Sequence, residues 1–319
     1  MPRTAVYLLA WFAFLVAAVA FAARFAPVVN HAVLLVSALS PYLMIGAVVS
    51  AGLLLFTGPW WAAAPAIVLT AAAFFVQLPL FTSSGNPTGP ALRVLTANLH
   101  EGAADPGELA AIARDTTDVL VVQELTGECA EQLTKTGLES DFPYRAIAPA
   151  SGADGIGVWS RHPIVDSARI PGYELGMLNV RIRVPDVPSD TTVLAVHLVG
   201  PWPWPIDQWR QEIAKLSETL REAGHEAGAS ALIVAGDFNA TVDMAPFRRL
   251  LRDGLDDARE HSGAGLAATY PADGTLPPLV GIDHILVRNG LAADTHPVRI
   301  PGSDHLGLRS TIHITELTR

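Results

Sequence analysis

The first 90 residues contain no aspartate or glutamate, and their only basic side chains are Arg3 and Arg24. So little charge rarely belongs to the surface of a soluble domain. Three apolar runs lie inside this stretch: Ala5–Ala23, Ala32–Phe56 and Trp60–Phe81. A helix needs about 20 such residues to cross a bilayer. Pro41 predicts a kink or tilt in the second run. Trp60 and Trp61 open the third, a placement suited to the headgroup interface. The connections at Arg24–His31 and Thr57–Pro59 are short, which predicts an up-down-up bundle. Buried core helices are the alternative, but three uncharged runs of this length weigh against them. Ala20-Phe21-Ala22 resembles a signal-peptide cleavage site, yet two more runs follow it. Residues 1–81 are therefore expected to be a multi-pass region of the cell membrane, with transmembrane helices at 5–23, 32–56 and 60–81. Arg3 and the terminal amine favour a cytoplasmic N-terminus, which Arg24 opposes slightly. Three spans would then place the rest of the chain outside the cytoplasm.

Thr82–Pro90 (TSSGNPTGP) has the composition of a linker. Its short reach would hold residues 91–319 close to the bilayer. The whole chain has 21 Lys and Arg against 31 Asp and Glu; with only Arg3 and Arg24 before residue 91, the rest holds 19 against 31, a formal charge of −12. A sequence-independent DNA binder normally carries a basic face, so nucleic acid is the less favoured partner. The single cysteine, Cys129, excludes an internal disulfide and a cysteine-built zinc site. No protein partner is indicated.

From Ala91 the pattern changes. Strands are predicted at Leu92–Ala97, Val119–Val122, Ile156–Ser160, Leu178–Val184, Thr192–Val196, Leu232–Ala235, Ile282–Val287 and Leu308–Thr315. Helices are predicted at Gly107–Arg114, Gln208–Ala223 and Pro246–Leu255. Some strands follow one another without a helix, so the pattern predicts a mixed-sheet α/β domain rather than a doubly wound one.

Polar residues stand at the edges of these strands. Leu232–Ala235 runs into Gly236-Asp237-Phe238-Asn239, and alternation puts Asp237 and Asn239 on one face. A carboxylate there can take a proton from water or hold a divalent cation; an amide can donate to a phosphate oxygen or orient a water. Asn98, Glu124, His197, Asp283 and Asp304 with His305 stand at other strand edges. Any one of these is ordinary, but together they mark the side of a sheet where α/β sites are built.

These pieces resemble the endonuclease/exonuclease/phosphatase superfamily. The resemblance rests on TANL at 96–99, VVQE at 121–124, GVWSRHPI at 157–164, AVHL at 195–198, GDFN at 236–239, IDHI at 282–285 and SDH at 303–305. It covers nearly all of residues 91–319 and none of the first 90. It implies a DNase I-like α/β (α+β) sandwich, two packed mixed β-sheets flanked by helices, and a metal-dependent phosphoesterase. By the same resemblance Glu124 is the principal ligand of a divalent cation, Mg²⁺ or else Mn²⁺, with Asn98 beside it and Asp304 near the metal. Asp237 orients or deprotonates the attacking water, and Asn239 contacts the phosphate or that water. His305 faces the scissile phosphate, held by Asp283, and His197 lies near the leaving group. Some members carry an acidic residue where this chain has His100, so the count of one or two ions stays open.

Hydrolysis requires the phosphoryl charge to be neutralised and water to be placed in line, and oxygen ligands suit a hard cation. A membrane-bound branch of the superfamily, which includes a teicoplanin-resistance protein acting on undecaprenyl pyrophosphate, is similar in layout. The expected substrate is a phosphate ester or pyrophosphate, in its sharper form a lipid-linked one. Pro201-Trp202-Pro203-Trp204-Pro205, after His197, would put tryptophans at the mouth of such a site. A membrane-tethered nuclease and an inactive membrane-anchored binding module are the alternatives.

Overall fold

The computed structural model describes residues 2–85 and 87–315. Asn86 of the predicted linker and residues 316–319 of the predicted domain lie outside the described residues. The chain divides into two compact units, Met1–Pro79 with Thr241–Arg248, and Leu80–Ala240 with Arg249–Arg319.

In the helical unit, three helices are long and apolar enough to cross a membrane: Arg3–Ala23, Ser40–Thr57 and Trp60–Phe81. The expected second span at 32–56 is broken. A helix at His31–Ala38, capped by the Asn30 side chain, ends at Leu39, whose φ of −91° and ψ of 4° leave the helical region. Pro41 has no N–H to donate and restarts the chain as Ser40–Leu43, followed by Ile45–Thr57. Ala10, Ala17 and Ala20 of the first helix are fully buried, as are Ala47 and Ser50 of the second span. At Gly46 a Cβ would stand 2.8 Å from the Ala13 carbonyl oxygen, so the backbones meet through small residues.

The other unit is a sandwich of two six-stranded sheets. The first contains β1 (Ala91–Asn98), β2 (Val119–Gln123), β3 (Tyr144–Ala148), β4 (Ile156–Ser160), β11 (Gly290–Arg299) and β12 (Leu306–Ile314), in the order β11-β12-β1-β2-β4-β3. The second contains β5 (Ile164–Arg169), β6 (Leu178–Ile182), β7 (Thr191–His197), β8 (Leu232–Asp237), β9 (Asp256–Asp257) and β10 (Asp283–Arg288), in the order β5-β6-β7-β8-β10-β9. β1 with β2 and β7 with β8 are parallel, and the remaining pairs are antiparallel, so both sheets are mixed. Val94, Val121, Val158 and Ile312 of the first sheet share a core with Val180, Val193, Ile233 and Ile285 of the second. Leu95 and Leu120, of opposite parity, pack outward among Leu109, Leu133 and Phe142.

This parity positions the polar strand ends. Residues 92, 94 and 96 of β1 lead to Asn98. Val193 and Ala195 lead to His197, Ile233 and Ala235 to Asp237, and Ile285 shares its face with Asp283. All four polar residues are thus directed between the sheets. β1, β2, β7 and β8 end at this rim; β10 and β12, antiparallel to β8 and β1, begin there. Gly236 sits at φ 153°, and a Cβ on it would meet the Val196 carbonyl oxygen at 1.8 Å, so only glycine lets β7 and β8 pair beside Asp237.

Two further expectations change. Pro246–Leu255 is helical only at Ala245–Arg248; the chain turns through Asp253 and Gly254, both at positive φ, to enter β9. The predicted linker is partly tied down, because Ser84 N–H donates to the His261 carbonyl at 2.8 Å.

Candidate active site

Asn98 sits at the centre of the rim. Its Nδ2 donates to Glu124 Oε1 at 3.0 Å and to Asp237 Oδ2 at 3.2 Å, while its Oδ1 accepts the His100 N–H at 2.9 Å. Glu124 follows the last residue of β2 at φ 60°, a left-handed conformation that interrupts the strand's alternation. The Glu101 N–H holds its other oxygen at 2.6 Å.

Asp237 faces three polar neighbours besides Asn98. The Asn239 N–H donates to its Oδ1 at 2.8 Å, and His197 Nε2 and His305 Nε2 each stand 3.8 Å from its Oδ2. Burial, and then the nearby Asp283 carboxylate, push Asp237 up to about 7, against the opposing effect of His305. Asn239, at φ 48°, donates through Nδ2 to the Leu198 carbonyl at 2.9 Å.

The two histidines are set in opposite states. His197 Nδ1 lies 3.1 Å from the Ala153 carbonyl oxygen; donation there leaves Nε2 as an acceptor, 3.8 Å from Glu124 Oε1. Its burial lowers its pKa, outweighing the attraction of Glu124. His305 Nδ1 donates to Asp283 Oδ2 at 2.9 Å. Burial opposes its charge too, but the Asp283 and Asp237 carboxylates win and raise it to about 10. His305 is therefore an imidazolium aimed at Asp237.

Asp237, Asp283 and His305 each offer a ligand atom within 4.8 Å of the others. The trio could hold a metal ion, with His305 giving up its proton to ligate. The carboxylates fit a cation better. Asp283 Oδ1 is buried with no hydrogen-bond partner among the described residues, and Glu124 and Asp237 converge on Asn98 with oxygens to spare. Such donors suit a hard cation. Asp304 stands apart from this inner group: its carboxylate faces His100 Nδ1 at 3.8 Å.

Seven of the eight predicted residues thus form one connected cluster, with Asp304 at its edge. Several contributors were not predicted. Ser303 Oγ donates to the Asn98 carbonyl at 2.7 Å and accepts the His305 N–H at 3.0 Å, joining β1 to the histidine. The Tyr270 ring lies 4.8 Å from the His305 ring. Glu212, on the helix Ile206–Ala227, is buried and accepts the Val199 N–H at 3.0 Å and the Glu174 N–H at 2.7 Å. It carried a signal: it lies on the buried stripe of Trp209, Ile213 and Leu216, where a carboxylate needs donors. His284 Nε2 donates to the Ala240 carbonyl at 2.8 Å, and its Nδ1 meets the buried Arg259–Asp257 pair.

Residues 95–305 match the model of the endonuclease/exonuclease/phosphatase family. The chain belongs to that family. Its members are nucleases and phosphatases, generally metal-dependent hydrolases. No curated protein sequence matches the chain significantly. Among solved structures, TDP2 from Caenorhabditis elegans is similar at 15% identity and a TM-score of 0.58, covering 83% of this chain and 84% of that one. D. rerio TDP2 complexed with single-strand DNA product is similar at 18% identity and 0.56, covering 70% and 98%. A family member from Bacteroides vulgatus is similar at 14% identity and 0.56, covering 70% and 99%. At these identities the likeness establishes the family's fold.

Proposed function

We propose that the chain is a membrane-anchored, divalent-metal-dependent phosphoesterase acting on a phosphate ester or pyrophosphate. The observation that carries this reading is the opposed pair at Asp237: a carboxylate burdened by burial beside an imidazolium fixed by Asp283. Glu124 and Asn98 would hold Mg²⁺ or Mn²⁺, with Asp304 nearby. When bound, the ion supplies positive charge to the phosphoryl oxygens and fixes the substrate. Asp237 orients the attacking water and accepts its proton. Asn239 contacts the phosphate or that water. His305 stabilises the negative charge that builds on the phosphoryl oxygens, and Asp283 keeps its proton and its aim. His197, neutral at Nε2, stands on the leaving-group side.

A lipid-linked substrate such as undecaprenyl pyrophosphate is the sharper reading, with the site outside the cytoplasm. Its supports are the three membrane-length helices, the acidic composition after residue 90, and the tryptophans that follow His197. Trp202 and Trp204 are 60% and 69% exposed. Their loop starts beside the site, since a Cβ on Gly200 would lie 3.7 Å from Asn239 Oδ1. Exposed tryptophan suits an acyl or prenyl chain. DNA is the second reading, favoured by the product-bound TDP2 relative and opposed by the acidity.

The test incubates the full chain in detergent with Mg²⁺ and undecaprenyl pyrophosphate. Phosphate release is expected, abolished by chelation and by Asp237→Ala. Release no faster than in the Asp237→Ala control would defeat the lipid substrate, and plasmid nicking in its place would establish the nuclease. A biological effect retained by both Glu124→Gln and His305→Ala would make the chain a binding module.

A further inference from the structure

His284 neighbours Asp283 on β10, and alternation turns it to the opposite face of the sheet, where it is fully buried. Its Nε2 lies 2.8 Å from the Ala240 carbonyl oxygen. That oxygen can only accept, so Nε2 carries a proton and donates. Its Nδ1 lies 2.7 Å from Asp257 Oδ2 and 2.6 Å from Arg259 Nη2. Arg259 also grips Asp257 side-on, Nε to Oδ1 at 3.1 Å and Nη2 to Oδ2 at 2.8 Å. A Cβ on Gly281 would stand 2.5 Å from Arg259 Nη1, so the glycine two residues before Asp283 leaves the space that the guanidinium fills. Whether Nδ1 accepts from Arg259 or donates to Asp257, the ring is fixed, and Nε2 donates to Ala240 in both cases.

Apolar residues of similar volume often stabilise a core as well as a buried ion pair does. The distinctive property of such a set is a defined geometry, and here that geometry ends on the segment 237–240. The Phe238 and His284 rings meet edge-on, with centroids 5.3 Å apart and planes at 74°. The Phe238 N–H donates to the Ile282 carbonyl at 3.0 Å. The Asn239 N–H closes onto Asp237 Oδ1, and Asn239 Nδ2 reaches the Leu198 carbonyl. Asn239 itself sits at φ 48°, a left-handed conformation that persists only where the surrounding structure imposes it. The ladder to β10 holds one end of this turn, and His284 holds the other at Ala240.

We propose that His284 is a positioning residue: oriented by Asp257 and Arg259, it fixes the Ala240 carbonyl and through it the turn that presents Asp237 and Asn239. This rests on the reading of Asp237 and Asn239 as contacts to the attacking water and the phosphate.

The test uses the full chain in detergent with Mg²⁺ and bis-p-nitrophenyl phosphate as probe. A glutamine at 284 puts its amide nitrogen near the place of Nε2, within reach of Ala240; an asparagine puts it near the place of Nδ1, out of reach. His284→Asn should lower kcat about tenfold with KM within about twofold, since small misalignments at a reacting centre act on kcat. Hydrogen exchange should quicken at residues 238–240 and stay unchanged at 193–196. His284→Gln should keep kcat within about threefold of wild type, with exchange at 238–240 as slow as in wild type. His284→Phe, which fills the ring's space without an N–H, replaces His284→Asn if that variant does not fold. Failure of both to fold would make the bond a requirement of the fold and overturn the positioning role. Wild-type kcat and exchange in His284→Asn would overturn it too, as would a His284→Gln variant equally impaired or exchange loosened throughout the sandwich. If the wild type turns over no phosphoester, the catalytic reading fails by itself, and exchange at 238–240 in the two variants still decides whether His284 holds the turn.

Discussion

The two units treat polarity in opposite ways. The helical unit turns many of its large apolar side chains outward and packs largely through small ones: Phe56 is 86% exposed, while Ala10, Ala17, Ala20 and Ala47 are fully buried. The sandwich buries its aliphatic side chains between two sheets and gathers buried polar groups at one rim. The outward-facing apolar surface of the helical unit is compatible with a membrane anchor. The sandwich supplies its own apolar core and concentrates there, at one end, the charges that a core normally rejects.

The sharpest break in this comparison is at the rim itself. Asp237→Ala should lower kcat by about 10²–10⁴, the scale of a positioned acid or base. The same change should hold or raise Tm, because it removes a carboxylate whose charge is disfavoured by burial and by Asp283. Activity assays paired with thermal melts separate the two effects. A fall in Tm equal to that of a core truncation would make Asp237 an ordinary structural residue.

A second buried charge set, Asp257 with Arg259 and His284, should behave in the opposite sense. Burial would raise the Asp257 pKa, but Arg259 and His284 outweigh it and hold the carboxyl well below the usual carboxylate range. Removing the Arg259 guanidinium leaves Asp257 with His284 as its remaining side-chain partner and should cost about 3–5 kcal/mol. The sign in pH follows from the depressed pKa. The stabilisation is complete above about pH 4, the unfolded value, and is lost as pH falls below it. Melts of the wild type should therefore drop steeply in that acid range, and Arg259→Leu should flatten the drop. An unchanged slope would show that Asp257 is not the group responsible.

The helical unit offers the third break. Val68 is exposed on the third long helix. Val68→Arg should cost about 2.5–3.5 kcal/mol of insertion if that face meets lipid, whereas an exposed sandwich position tolerates a similar change within about 0.5 kcal/mol. The fraction of full-length chain that resists carbonate extraction measures this. Equal tolerance at both positions would remove the contrast between the units.

The rim was legible in the sequence because alternation is a strict rule. Once Thr192–Val196 and Leu232–Ala235 read as strands, the direction of His197 and Asp237 follows from counting by two. Glu124 was visible as a residue type, although its left-handed turn was not. The outer strands β3 and β5 were invisible because none of their residues is fully buried and neither carries a long apolar run. The break at Leu39 depends on where Pro41 lets a helix restart, and hydropathy averages over that. Ser303, Arg259 and His284 act through partners distant in the chain, Asn98 and Ala240 among them, and no local pattern announces such pairs.

Glu212 gives the smallest test and bears most closely on how the sandwich tolerates its rim. Its two oxygens accept the backbone N–H groups of Glu174 and Val199. Val199 follows Leu198, whose carbonyl accepts Asn239 Nδ2. Glu212→Gln keeps the shape but turns one acceptor into a donor facing an N–H, leaving a buried conflict of about 1–3 kcal/mol. A loss of that size in Tm is expected, with kcat reduced a few-fold and KM nearly unchanged, because the Leu198–Val199 backbone aligns Asn239 rather than binding substrate. If Tm falls and kcat per folded molecule does not, Glu212 serves only the fold. If both fall together, the helix Ile206–Ala227 belongs to the support of the site, and the sandwich's tolerance for charge at its rim depends on a carboxylate buried one layer behind it.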